Sequence, residues 1–156
     1  MIAGLSSWTW RLAAVAGAAV LVAACGQPTG GYDRLKALPE ASLTFPDSKQ
    51  LSDGGYDAQF TVEGEQPAGF WRIIGSDATI EDIRDFYEGE LADAGWVRQP
   101  SSRSTTELEA HRWHQGDLAF RLGFLNTEEW HQRLDGSDQF PTLYEIHLSD
   151  GVETRP

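Results

Sequence analysis

Four histidines are the first residues to weigh for chemistry. His111-Arg112-Trp113-His114 has the H-x-x-H spacing that places two imidazoles on one face of a helix. Residues 108–114, however, read as an extended strand, and there positions three apart point to opposite faces. The pair then cannot chelate. His131 falls in a polar stretch, and His147 at an outward position of the last strand. A composite site of His111 or His114 with His131, His147 and a carboxylate stays open, but surface histidine is the ordinary reading. Asp135-Gly136-Ser137-Asp138 resembles part of a calcium loop without its third acid or its bidentate glutamate. Glu128-Glu129 and the group Asp82, Asp85 and Glu88 show no acid–base partner in the sequence. There is no G-x-S-x-G elbow, no P-loop and no G-x-G-x-x-G. The expectation is therefore no metal, no cofactor and no catalytic residue.

The tryptophans suggest contact rather than catalysis. Of the 6, Trp71 and Trp96 lie in apolar surroundings and read as core. Trp113 shares a strand face with Glu107, Glu109 and His111, and Trp130 lies in a loop near His131 and Phe140. Exposed aromatics among polar neighbours suit an interface. Trp113, Trp130, Arg121 and His111 are thus the expected contact surface. The alternative is that these tryptophans plug the second face of the sheet.

The elements that must position these residues follow from periodicity. Ala58, Phe60 and Val62 alternate with polar residues, which predicts a half-buried strand over 57–63. A turn at 64–69 and an apolar strand from Phe70 to Ile74 complete a hairpin. Thr79 then caps a helix over about 80–94, with Ile80, Ile83, Tyr87, Leu91 and Ala94 on one face and Gly95 after its end. A return strand begins at Trp96-Val97 and is interrupted at Pro100-Ser101-Ser102. Strands over 108–114 and 118–124 flank the turn at Gln115-Gly116-Asp117. A polar excursion over 126–141, with a helical turn around Trp130, leads to a last strand through Tyr144, Ile146 and Leu148. The sum is an α+β domain over 43–150: a mostly antiparallel sheet of about five strands with one amphipathic helix on one face. Residues 25–42 read as a tether, and 151–156 as a tail.

Bulk properties narrow the classes. A formal charge of −12 with no basic run argues against a nucleic-acid partner. With 40% hydrophobic residues the chain can bury a core, and its 156 residues suffice for one domain. The single Cys25 allows no internal disulfide.

Cys25 closes an uncharged run from Leu12 to Ala24, too short for a transmembrane helix and of signal-peptide length. The run ends Leu21-Val22-Ala23-Ala24-Cys25-Gly26. This resembles the lipobox of bacterial lipoproteins, although a single cation, Arg11, precedes the run. The resemblance implies a signal peptide over 1–24, a diacylglyceryl thioether on the Cys25 thiol and cleavage between Ala24 and Cys25, with acylation of the new amino group in many bacteria. Two acyl chains anchor a protein stably where one does not. Arg11 is the only charged residue removed, so the mature chain carries −13. The field of such a charge favours neutral or basic partners over anionic headgroups.

A second resemblance rests on Leu38-Pro39-Glu40-Ala41, Phe45-Pro46-Asp47-Ser48, Phe86-Tyr87, Leu91 and Gly95-Trp96. These residues resemble small bacterial envelope lipoprotein domains of unassigned function, with Phe45 where those carry Tyr. That implies a fold rather than an activity. The expected protein is a lipid-anchored module on the extracytoplasmic face of the cell membrane, non-catalytic, binding an envelope ligand or protein. The alternative is a small extracytoplasmic metal-dependent or cell-wall hydrolase.

Overall fold

The computed structural model describes residues 31–62, 64–100 and 107–151, apart from the side chains at 61, 107 and 108. The residues read as a signal peptide and cleavage site, and Cys25, lie outside the described residues, as do 101–106 and the residues beyond Gly151. Two short helices come first, α1 (Gly31–Lys36) and α2 (Pro39–Ser42). There follow β1 (Lys49–Tyr56), β2 (Gln59–Thr61), β3 (Gly64–Gln66), β4 (Gly69–Ser76), α3 (Ile80–Asp93), β5 (Val97–Gln99), β6 (Glu107–Gln115), β7 (Leu118–Leu125), α4 (Thr127–His131) and β8 (Thr142–Ser149).

Six strands form one antiparallel sheet in the order β1-β4-β8-β7-β6-β5, and β2 with β3 makes a separate ribbon. The topology explains the order. Helix α3 carries the chain from β4 to the far edge, and the meander β5-β6-β7-β8 walks back until β8 pairs with β4. The fold class is the α+β architecture expected from the sequence, with six strands in the main sheet rather than about five.

Helix α3 forms for local reasons. The Thr79 hydroxyl accepts from the Asp82 backbone N–H at 3.2 Å and donates to the Asp82 carboxylate at 2.7 Å. Gly95 turns the chain out of the helix at φ +86°, a conformation that costs glycine little. Ile83, Tyr87 and Leu91 are fully buried against Phe70, Ile74, Trp113, Phe120, Leu122, Phe124, Tyr144 and Ile146 of the sheet. Tyr87 packs edge-on to Tyr144, with ring centroids 5.9 Å apart, and donates its hydroxyl to the Leu43 carbonyl at 2.9 Å. Burial raises the Tyr87 phenol well above its ordinary value and raises Tyr144 as well.

Three expectations are corrected. The fold extends N-terminal of 43 at least to Leu35, because Leu35 and Ala41, placed in the tether by the sequence reading, are buried in the core. The strand that pairs with β4 is Lys49–Tyr56, not 57–63. Residues Ala58 to Val62 belong instead to the projecting ribbon, where Phe60 is 86% exposed. Alternation there satisfied a strand pattern, but no apolar layer lies against it. Among the described residues, no helix is long and apolar enough to cross a membrane.

Candidate functional site

Helices α1, α2 and α3 cover one face of the sheet, and the chemistry-bearing side chains of interest lie on the other. That face has two halves. At the end where β4 finishes and β8 begins, Ile73, Leu125 and Leu143 are buried under Trp130, Leu134 and Phe140. Asn126 caps α4 by accepting from the Glu128 N–H at 3.1 Å. Ser137 Oγ donates to the Leu134 carbonyl at 2.6 Å and holds the following turn. His131 Nε2 lies 3.3 Å from the Phe140 carbonyl. Trp130 is therefore a plug over a small second core, the alternative its sequence context left open.

Among the described residues, no element covers the other half. Register places one residue from every strand in a single cross-strand row: Gly54, Trp71, His147, Arg121, Arg112 and Gln99. At the strand spacing this row spans about 24 Å. Trp71, His147, Arg121, Arg112 and Gln99 are all half-buried. Glycines beneath the rings permit the arrangement. A Cβ on Gly54 would stand 2.5 Å from the Trp71 ring, and one on Gly69 would meet Tyr56 at 2.6 Å and His147 Nε2 at 2.9 Å. The Tyr56 hydroxyl reaches His147 Nε2 at 3.5 Å. Arg121 Nη1 donates to Glu145 Oε1 at 3.4 Å, and Gln99 Nε2 lies 3.3 Å from His114 Nδ1.

Arg121 and Arg112 are direct cross-strand partners. Both are engaged in polar interactions of their own, Arg121 with Glu145 among them. The surface dips only slightly between Gln99, Arg112, Arg121 and His147, enclosing about 30 Å³. Pockets for drug-sized ligands run to several hundred Å³. The shape is that of a platform for an elongated ligand. A larger groove of about 270 Å³ opens beside Arg34, Leu38, Asp117 and Leu118, but its Arg34 is already paired with Asp150 at 2.7 Å.

The expected contact surface divides. Arg121 lies in the open row, and Trp130 lies on the same face of the sheet but packs over the second core. Trp113 and His111 do not: they face the helix and are 2% and 3% exposed. Their β7 partners Phe120 and Leu122 belong to the apolar face, and that partnership fixes the side on which they point. The polar neighbours that suggested exposure belong to a chain of contacts that runs from exposed side chains to the buried His111. Glu88 accepts from Arg98 at 2.6 Å, Arg98 donates to His111 Nδ1 at 2.9 Å, and His111 Nε2 lies 2.6 Å from Glu109 without hydrogen-bond alignment. Arginine has no acceptor, so hydrogen-bond chemistry assigns the Nε2–H tautomer to His111.

Trp71 and Trp96 also divide. Trp96 is core, its indole donating to Glu40 at 3.0 Å, whereas Trp71 lies on the uncovered face. His111 and His114 point to opposite faces, as a strand requires. Among the described residues, no three His, Cys, Asp or Glu side chains gather where they could hold a metal ion. The sequence reading missed Tyr56, Trp71 and Arg112 as members of a surface. For Trp71 the glycine pair Gly54-Gly55 in an otherwise polar strand is a signal of a ring packed closely on backbone; for Arg112 only register supplies one. No family model, no curated protein and no solved structure matches this chain.

Proposed function

We propose that this protein is a lipid-anchored lipoprotein of the bacterial cell envelope and acts there as a non-catalytic binding module. The lipobox ending in Cys25 supports the anchor and the extracytoplasmic location. The observation that carries the binding reading is the row itself. Two arginines stand side by side, next to His147 and Trp71, on the uncovered face of a chain whose formal charge is −12. Two neighbouring guanidinium groups offer several N–H donors in a row, which suits carboxylate or phosphate oxygens laid along it. Trp71 and Tyr56 add flat aromatic area beside the charges. The ligand class is an extended chain carrying carboxylate or phosphate groups. This differs from the neutral or basic partner suggested by net charge, because a local row of cations decides the contact and the distant acids do not.

Titration with an acidic polysaccharide such as polygalacturonate, against neutral dextran, tests this. Binding is expected for the acidic polymer alone and weakens with added salt. Arg112→Gln and Arg121→Gln are each expected to weaken it about tenfold, in line with the loss of one charge-assisted hydrogen bond. Equal binding of both polymers, or indifference to both substitutions, would refute the platform.

A further inference from the structure

The β2–β3 ribbon carries the most exposed apolar side chains among the described residues. Phe60 is 86% and Val62 is 107% exposed. Neither contributes to either apolar core. The ribbon starts where the chain enters the fold. The Tyr32 backbone N–H donates to the Asp57 carboxylate at 2.9 Å, and a Cβ on Gly31 would stand 2.4 Å from Ala68 Cβ. Asp57 and Ala68 are the residues on either side of the ribbon. Its base and the first described helix are thus one place on the molecule.

Chain length makes this placement informative. Six residues separate Cys25 from Gly31, a reach of at most about 21 Å. Val62, in the turn after β2, is five residue steps from Asp57, a reach of at most about 18 Å. A lipid attached at Cys25 therefore holds the bilayer within a distance comparable to the reach of the ribbon. We propose that Phe60 and Val62 dip into the headgroup region of the bilayer that holds the anchor, giving the tethered domain a second contact and a fixed orientation. This rests on the lipoprotein reading above. An aromatic ring beside an aliphatic side chain suits that interfacial depth. Glu65, the cross-strand partner of Phe60, limits the contact to the headgroup level and favours zwitterionic over anionic lipid.

The test uses the full lipidated protein in phosphatidylcholine vesicles. Cys25 is the only cysteine and its thiol is consumed by the lipid, so an engineered cysteine is the only free thiol. Gln59→Cys carries a fluorophore on the ribbon, and Asp77→Cys carries it beyond the opposite end of β4 as control. With lipids brominated in their acyl chains, the Gln59→Cys label is expected to be quenched and the Asp77→Cys label not. Adding Phe60→Ser and Val62→Ser is expected to abolish quenching while the protein still floats with the vesicles. A Gln59→Cys label that stays unquenched in floating protein would overturn the ribbon contact and leave the anchor intact. So would quenching that survives the serine substitutions. Protein that fails to float would overturn the anchor itself.

Discussion

Arg72 shows how a charged residue can serve the core. It is 8% exposed and donates to the Gln50 side chain at 2.8 Å, the Ala41 carbonyl at 2.8 Å and Thr44 Oγ1 at 3.0 Å. All three acceptors are neutral oxygens; Ala41 belongs to α2, Thr44 to the segment between α2 and β1, and Gln50 to β1. The guanidinium fastens that segment to the sheet. Arg72→Met keeps the length of the side chain and strands three acceptors, so urea denaturation should register a loss of about 2–3 kcal/mol. The buried phenols Tyr87 and Tyr144 give a pH signature. Their folded values are raised by burial, so the folded state retains protons that the unfolded chain releases. Stability is then flat below the ordinary phenol value near 10 and falls as pH rises above it. Urea midpoints across that alkaline range should drop in the wild type, and the slope should be shallower in Tyr87→Phe. The glycine pair divides by face. Gly54→Ala intrudes on Trp71 and should weaken ligand binding with a small change in melting temperature. Gly55→Ala meets the Tyr32 ring at 2.2 Å and the Gly69 carbonyl at 2.4 Å, and should lower the melting temperature sharply.

At the scale of elements, legibility tracked the presence of an apolar layer. Helix α3 was readable because Ile83, Tyr87 and Leu91 repeat at helical spacing between a threonine cap and a glycine stop. Strand β7 was readable because Phe120, Leu122 and Phe124 alternate and are buried. Thr79→Ala should cost about 1 kcal/mol in thermal or urea unfolding, the usual value of a lost N-terminal cap. Strand β1 was not readable. Its residues KQLSDGGY carry no apolar alternation, because an edge strand with glycines under neighbouring rings needs none. The ribbon was misread for the opposite reason: it alternates without a core to face. The row across the uncovered face was beyond sequence reasoning for a simpler cause. Its residues come from six strands, and only register brings them together.

For the whole molecule, one end collects the features that matter to a tethered protein. Gly31, the base of the ribbon, Gly69 and Ser149 lie there, and the row from Trp71 to Gln99 is two residues along the strands from it. The small second core with Trp130 occupies the opposite half of the same face. An anchored molecule would therefore hold its row close to the membrane, and its ribbon closer still. Everything in this arrangement depends on the bond at Cys25. The intact mass of the protein extracted in mild detergent from its own membranes is the most direct measurement. A species that starts at Cys25 and carries the added mass of a diacylglyceryl group, with or without a further acyl chain, is the predicted result. A mature chain without acyl mass, or one that retains residues 1–24, would contradict it.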